Sequence, residues 1–349
     1  MKKIIKCLFV TLLALLLILG TVSCNGKTEN TTSSTTEKQN PPDDTPEDVT
    51  VRAMVFSGTT GFGMAPLMDK NSKKESANKY NFTVEGTDVS NVIAALVNGS
   101  VDIAALPTNA ASLAYNKTNG GVKVLALNTK GVLYLVQTGS GAPVTSLSDL
   151  DGKTVYTPAQ NPAFVFKYIC EKSGVNVNID STKYAKPADL RTVVASGEVE
   201  YAVLPEPMVT IAQNAAKKVG INVDVRLDLT AEWNKLGENS GELVQGCVVV
   251  RTEFAEKYPQ TVKKFLEEYE ESIKYVNEHP EEASNMISEQ GVFAQAPIAK
   301  LAIPKCNIFF AAGEEMKTML SGYIANLYTV NATSVGGKIP DDAFYYIAK

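Results

Sequence analysis

Two loops rich in hydroxyl groups and glycine are well suited to holding a small molecule. Ser57-Gly58-Thr59-Thr60-Gly61 follows an apolar run and leads into a helix-like run, and Thr108-Asn109 does the same after Pro107. At a helix start, hydroxyls and unpaired backbone N–H groups favour the acceptor atoms of a ligand. The alternative for either loop is a capped turn without a ligand. The chemistry expected is hydrogen bonding to a ligand and not bond making.

A second group of polar and aromatic residues lies about one hundred residues further along. Gln160-Asn161-Pro162 precedes a helix with proline in its first turn, and Phe164 would project nearby. Glu206 follows an apolar run, where an acceptor-only carboxylate would prefer an N–H-bearing or cationic ligand; alternatively, its charge stabilises a helix N-terminus. Trp233, the sole tryptophan, could stack on a ligand ring, with core packing as the alternative.

The residue inventory argues against catalysis. The sole histidine, His279, precedes a proline at a predicted helix end, where a capping or solvent-exposed role is expected. The chain has no Gly-x-Ser-x-Gly elbow, no His-Glu-x-x-His and no phosphate loop. We therefore expect no enzymatic activity, no cofactor and no metal site.

The N-terminus reads as an export and lipid-attachment signal. Three lysines precede the apolar run 8–19, which is too short to span a membrane. Thr21-Val22-Ser23-Cys24 is similar to a bacterial lipobox, with Thr21 where leucine is usual. Residues 1–23 are predicted to be a signal peptide and 24–48 a lipidated polar tether, with an ordinary signal peptide as the alternative. The protein would then be anchored through Cys24 on the extracytoplasmic side of the cell membrane.

Composition limits the partners and the redox chemistry. The formal net charge is −5, and the arginines are Arg52, Arg191, Arg226 and Arg251 only, so no basic patch is expected for nucleic acid. Beyond residue 24 the cysteines are Cys170, Cys247 and Cys306, and their wide spacing matches no zinc or redox motif. Buried free thiols are expected, although one disulfide remains open. No long apolar heptad pattern argues for a coiled coil, so a monomer is expected.

These residues need a scaffold, and the apolar pattern predicts one made of βα units. Strands are expected at 51–56, 82–85, 102–106 and 122–128, and helices at 89–97 and 109–116. The repeated segment Gly99-Ser-Val-Asp-Ile-Ala-Ala-Leu-Pro107 recurs as Gly197-Glu-Val-Glu-Tyr-Ala-Val-Leu-Pro205. One βα arrangement used twice, rather than chance similarity, would make two sheet lobes. Their strand ends would face a shared cleft.

The chain is expected to pass between these lobes twice. Residues 132–138 and 243–251 are long and apolar enough to cross, and are the hinge candidates. The first lobe is predicted to comprise 49–135 and 248–349, and the second 136–247. The tail from about residue 252 has helical periodicity and is expected to pack on the first lobe.

Taken together, these features resemble the type II substrate-binding proteins of ABC importers. Asp88-Val-Ser-Asn-Val-Ile-Ala-Ala-Leu-Val-Asn-Gly99, with the strand and Thr108-Asn109 that follow, is similar to the nitrate, sulfonate, taurine and thiamine-precursor branch. Residues 147–154 and Glu206-Pro207 match that branch as well. The resemblance implies an α/β, two-lobed periplasmic-binding-protein type II fold. It also implies a small-molecule ligand and an ABC permease partner.

The chemistry of the loops suggests a class of ligand. None of the candidate loops carries arginine or lysine, whereas carboxylate and phosphate binders usually recruit arginine. A neutral or cationic nitrogen-rich ring compound, such as a thiamine-type pyrimidine, is therefore the first expectation. A sulfonate, taurine or nitrate anion is the alternative, as is a sensing or adhesive lipoprotein uncoupled from transport. The residues expected to contact the ligand are Ser57, Gly58, Thr59, Thr60, Phe62, Asp88, Thr108, Asn109, Gln160, Asn161, Phe164, Glu206 and Trp233.

Overall fold

A computed structural model describes residues 45–86, 88–237 and 241–348. The signal peptide, Cys24 and most of the tether lie outside these residues. The strands are β1 Thr50–Phe56, β2 Lys79–Glu85, β3 Ile103–Pro107, β4 Val122–Lys130, β5 Leu133–Thr138, β6 Thr154–Tyr156, β7 Asn178–Asp180, β8 Tyr201–Pro205, β9 Val223–Asp228, β10 Val244–Arg251 and β11 Ile308–Ala312.

Helices cover more than half of the described residues outside the strands. They are α1 Thr59–Phe62, α2 Ala65–Ser72, α3 Val89–Val97, α4 Thr108–Thr118, α5 Asn161–Ser173, α6 Pro187–Ala195, α7 Met208–Lys217, α8 Leu229–Asn234, α9 Thr252–Lys257, α10 Pro259–Glu278, α11 Pro280–Glu289, α12 Ala296–Ala302 and α13 Gly313–Val330. Short 3₁₀ turns occur at Leu147–Leu150, Ile303–Lys305, Ala332–Val335 and Asp342–Phe344. None of the helices in the described ranges is both long and apolar enough to cross a bilayer.

The strands form two sheets that define the first and second lobes. The first sheet has the order β11-β4-β10-β3-β1-β2, and the second has the order β7-β6-β8-β5-β9. In both, one strand runs antiparallel between parallel neighbours: β10 between β3 and β4, and β5 between β8 and β9. The first sheet counted from β2 is β2-β1-β3-β10-β4, and the second counted from β7 is β7-β6-β8-β5-β9. The strands in these five places correspond to one another. The predicted α/β architecture is thus observed.

The repeated segment occupies equivalent places in the two lobes. Its strands, β3 and β8, each lie between a parallel strand and the antiparallel one. Its glycines, Gly99 and Gly197, have φ of 75° and 74° just after α3 and α6. Glycine adopts this left-handed conformation at no steric cost, which lets each helix end and the chain turn into the strand. The sequence repeat therefore encodes a helix stop followed by a buried strand.

The C-terminal third packs on the first lobe, as predicted, but it is not wholly helical. In α10, apolar side chains recur every three or four residues from Val262 to Val276, and they are buried in a core that includes β1 residues. Glu47 accepts hydrogen bonds from the N–H of Gln260 (3.2 Å) and of Thr261 (2.6 Å), which caps α10. The unexpected element is β11, which pairs with β4 at the sheet edge. Its short apolar run lacks a periodicity that would separate strand from helix.

The chain passes from the first sheet to the second at residues 131–132 and returns between β9 and β10. Of this second crossing, 229–243, the structure describes residues 229–237 and 241–243. These crossings lie just before the two predicted hinge stretches, because 133–138 belongs wholly to the second sheet and 244–251 to the first. The two crossings touch each other at Gly131. A Cβ atom added there would lie 2.2 Å from Thr230 Oγ1 and 2.7 Å from Leu243 Cδ2. Only glycine lets the crossings approach this closely.

We predict that Gly131→Ala lowers the free energy of unfolding by about 1 to 3 kcal/mol, because the added methyl group overpacks the contact between the crossings. Urea denaturation measures the change. Gly86→Ala is the matched control, since a Cβ at Gly86 would meet nothing within 4 Å. Equal stability of the two variants would contradict the steric argument.

Candidate ligand-binding cleft

The carboxyl ends of the parallel strands from both lobes meet along one edge. In the first lobe, α1 follows β1 and α4 follows β3; in the second, α5 follows β6 and α7 follows β8. Two hydrogen bonds join these loops across the lobes: Thr59 Oγ1 donates to Glu206 O (2.8 Å), and Asn161 Nδ2 donates to Asn109 Oδ1 (3.0 Å). The strand-end loops therefore face one another, as expected for a cleft in this architecture.

Four side chains form a polar cluster at this junction, which we call the interlobe network: Asn109, Asn161, Gln245 and Tyr323. Asn161 Nδ2 donates to Asn109 and to Tyr323 OH (3.0 Å), while Asn161 Oδ1 accepts from Gln245 Nε2 (2.9 Å). All four side chains are buried. Each hydrogen bond contributes about 1 kcal/mol net, and losing a buried partner costs more than that.

The first-lobe candidates mostly contribute structural hydrogen bonds. Ser57 N–H donates to Glu85 O (3.0 Å), and Thr108 Oγ1 donates to Val244 O (2.8 Å). Gly58 has φ of 89° just before α1, a conformation that favours glycine. Thr60 O accepts from Asn128 Nδ2 at 3.0 Å. Thr59 is thus the hydroxyl of this loop that reaches the second lobe.

Two first-lobe candidates have other roles in the structure. Phe62 is fully buried and packs against Phe293, with ring centroids 5.9 Å apart, so it belongs to the core and not to the cleft surface. Asp88 is exposed, and its Oδ1 accepts from Ser90 N–H (2.8 Å), which caps α3. Sequence spacing alone could not separate these roles from ligand contact.

The loop before α5 holds two unusual features. Gln160 has φ of 64°, which is rare for a residue with a side chain, and it is exposed. Thr157 is fully buried and its hydroxyl has no partner among the described residues. Phe164 is half-buried and packs on the apolar core. Thr157 was not among the predicted residues, although it directly follows β6.

Glu206 is buried and caps its own helix. Its carboxylate accepts from Thr210 N–H (3.2 Å) and Thr210 Oγ1 (3.0 Å), while Lys305 Nζ lies 3.9 Å away. Burial raises the pKa of Glu206, against the opposing effects of Thr210 and Lys305. The helix-stabilising alternative therefore describes this carboxylate. Lys305 comes from the C-terminal third, so a cation does lie at a loop that has none of its own.

Trp233 is fully buried and does not face the cleft as a stacking surface. It packs on Tyr168 and Tyr323, with ring centroids 4.7 Å and 5.6 Å away. Its Nε1 donates to Gly241 O at 3.0 Å, within the second crossing. The core-packing alternative is correct for this residue, because its ring is covered by other aromatic side chains.

Gln245 and Tyr323 were missed from the sequence. Gln245 interrupts an apolar strand, which was a usable signal because buried polar groups need partners. Tyr323 lies on α13 with no such signal, and only the packing of α13 against α5 brings its hydroxyl to Asn161.

The cysteines and acids suggest no reactive centre. Cys170, Cys247 and Cys306 are buried and unpaired, and burial raises the pKa of Cys170 to about 12. The possible disulfide is thus not formed. Within the part of the chain that the structure describes, no three His, Cys, Asp or Glu side chains are grouped as a metal site would require.

A family model described as NMT1/THI5 like matches residues 82–283, more than half of the chain. The chain belongs to this family. A search of curated proteins finds no match.

Solved structures place this family member in a known fold. An ABC transporter protein from Parabacteroides distasonis is 21% identical, with a TM-score of 0.72, covering 86% of this chain and 100% of that one. The aliphatic sulphonate binding protein SsuA from Escherichia coli is 14% identical, with a TM-score of 0.67, covering 86% and 92%. A Candida albicans protein with the generic periplasmic binding protein fold is 15% identical, with a TM-score of 0.53, covering 85% and 93%.

These comparisons confirm the predicted resemblance and the two-lobed periplasmic-binding-protein fold. The first two solved proteins are named as an ABC transporter and a sulphonate binding protein, respectively.

We predict a distinctive pH dependence for Glu206→Gln. The folded-state pKa of Glu206 is raised, so the contribution of Glu206 to stability falls as pH rises from the ordinary glutamate pKa of about 4.3 through the raised value. The glutamine variant lacks this titration, so its stability relative to wild type should increase with pH over that window. Urea denaturation at several pH values measures it.

Glu200→Gln is the control, because it makes the same change at an exposed glutamate. At each pH, its stability difference from wild type is subtracted from that of Glu206→Gln. A corrected Glu206→Gln difference that does not change with pH would contradict the expected titration of Glu206.

Proposed function

We propose that this protein is an extracytoplasmic solute-binding lipoprotein that captures a small molecule between its lobes and delivers it to an ABC importer. The observation that carries this proposal is the pair of matched sheets whose strand-end loops meet through Thr59–Glu206 and Asn109–Asn161 hydrogen bonds. Polar side chains from two lobes at one edge are what a closing cleft requires. The family and the solved neighbours support the same role.

Closure would proceed by rotation about the two crossings. We propose that the lobes divide, and the chain bends, where the chain leaves one sheet for the other, at 131–132 and between β9 and β10. This shifts each boundary of the predicted division, 49–135 plus 248–349 against 136–247, by a few residues, because β5 belongs wholly to the second sheet and β10 to the first. A cargo shifts such an equilibrium only through higher affinity for the closed form. The permease in the same membrane would then recognise the lobe surfaces brought together by closure.

The proposed contacts are the polar groups at the strand ends. In the first lobe these are the loop 57–60 together with Thr108 and Asn109. In the second lobe they are Gln160 and Asn161. We add Thr157, because its buried hydroxyl has no partner among the described residues and a buried polar group needs one. Phe62 and Trp233 are fully buried against other aromatic rings and are left out of the proposed contacts, whereas the half-buried Phe164 stays a candidate.

The charge at the junction favours a cargo that carries no net negative charge. The interlobe network is made of amides and a phenol, all neutral. Of the nearby lysines, Lys130 bonds Glu242 at 2.8 Å and Lys305 lies 3.9 Å from Glu206, so each has an acidic neighbour. We therefore propose a neutral or cationic nitrogen-rich ring compound, such as a thiamine-type pyrimidine. An anion like the sulphonates of SsuA is the competing cargo.

Native mass spectrometry of residues 44–349, which form one compact unit, tests the cargo. We predict a co-purifying small molecule, released on denaturation and identified as a nitrogen-rich ring compound. A sulfonate would retain the binding function but overturn the cargo class. If no small molecule co-purifies, and no member of a panel of pyrimidines, sulfonates and taurine binds, ligand capture itself is contradicted.

Membrane anchoring is proposed through a lipid on Cys24, with residues 1–23 as the signal peptide and 24–48 as the tether. We predict that the expressed full-length chain partitions into the detergent phase of Triton X-114. Cys24→Ser should abolish covalent incorporation of a labelled fatty acid and leave the precursor uncleaved. A lipoprotein signal peptidase inhibitor should also leave the precursor uncleaved, but with the lipid label attached. Cys170→Ser, a buried thiol in the second lobe, is the control that should change neither labelling nor cleavage. Unchanged labelling of Cys24→Ser would refute lipidation.

A further inference from the structure

A continuous path of hydrogen bonds links the first crossing to both lobes. Val132 N–H in the crossing donates to Gln245 Oε1 (2.8 Å), and Gln245 Nε2 donates to Asn161 Oδ1 (2.9 Å). Asn161 Nδ2 then donates to Asn109 Oδ1 (3.0 Å). Thus one amide, that of Gln245, contacts the crossing with its oxygen and the second-lobe helix α5 with its nitrogen.

A second path leads from the same asparagine to the other crossing. Tyr323 OH lies 3.0 Å from Asn161 Nδ2 and 3.2 Å from its Oδ1, and the Tyr323 ring packs on Trp233. Trp233 lies in the crossing 229–243, where its Nε1 donates to the carbonyl of Gly241 (3.0 Å). Gly241 in turn touches Gly322, where a Cβ on Gly322 would lie 3.4 Å from its Cα. Asn161 therefore stands between the two crossings.

We propose that Asn161 is a positioning residue that couples closure of the lobes to the backbone of both crossings. This proposal rests on the proposed binding function. Asn109, Asn161 and Gln245 are 8%, 9% and 9% exposed, so water has little access to replace a lost partner in this arrangement of the lobes. Separating the lobes breaks the Asn161–Asn109 bond. It also frees the Gln245 amide, whose orientation fixes the Val132 N–H.

Trp233 can serve as a fluorescence probe of this coupling, because its ring packs on Tyr323. As the sole tryptophan, it reports on the second crossing through its fluorescence. When α5 and Asn161 move, Tyr323 loses the partner of its hydroxyl, and the aromatic contact that holds Trp233 loosens. A change at Asn161 is thus expected to register at both crossings at once, although Asn161 itself lies in neither.

The test compares Asn161→Leu with wild type in the full-length chain, using two readouts. Hydrogen exchange at the Val132 amide should accelerate about tenfold, equivalent to about 1.4 kcal/mol, because local opening controls exchange. The Trp233 emission maximum should shift to longer wavelength. Asn116→Leu is the matched control, since Asn116 on α4 bonds Val335 O (2.8 Å) and Lys338 O (2.7 Å) and not the second lobe. It should change neither readout.

A second pair of variants keeps the test decisive if Asn161→Leu does not fold. Asn109→Leu removes the oxygen that accepts from Asn161. Its control is Ser112→Ala, which removes a hydrogen bond from the same helix to Val335 O (2.8 Å) and leaves Asn109 in place. We expect Asn109→Leu to show faster Val132 exchange and the emission shift, and Ser112→Ala to resemble wild type. Coupling is overturned if Asn161→Leu matches Asn116→Leu, or if Asn109→Leu matches Ser112→Ala. Neither readout requires cargo. A failed ligand screen would therefore contradict the proposed function without deciding the coupling, and a failed coupling test would not contradict ligand binding.

Discussion

The two backbone crossings are the constraint on which the rest of the structure depends. Each sheet receives its antiparallel strand immediately after a crossing: β5 enters the second sheet after residues 131–132, and β10 enters the first after 229–243. Because β10 lies between β3 and β4, the first sheet is complete only after the chain has built the second. The lobes are thus held side by side with their strand ends on a common edge, and Gly131 permits the crossings to touch.

The polar cluster at the junction follows from that arrangement. Strand ends converge there, so short side chains that begin helices meet side chains from the opposite lobe. Neutral amides suit this place, because a buried charge without a partner would cost far more than an amide that is fully bonded. The buried carboxylate of Glu206, which lies at this junction, is held by its own helix and by Lys305. A cleft built this way can close without trapping uncompensated charge.

Family membership and packing constrain function to different degrees. The NMT1/THI5-like match and the neighbours of known structure establish the fold, and binding between lobes is the use to which this geometry is suited. The identity of the cargo depends on a few side chains at the junction. Among these, Asn161 carries the most connections, which is why its proposed role reaches beyond ligand contact to the crossings themselves.

Sequence alone determined the local architecture and much of the site. Apolar periodicity located α3 at its observed bounds, and the repeat around Gly99 and Gly197 revealed two equivalent βα units, because such patterns follow from neighbouring residues. It also placed Thr59, Asn109 and Asn161 at strand ends. Tertiary structure alone decided that Trp233 and Phe62 are covered, that β11 joins the first sheet, and that Gln245, Tyr323 and Lys305 reach the junction. Those outcomes depend on contacts between residues far apart in the chain, which no local pattern encodes.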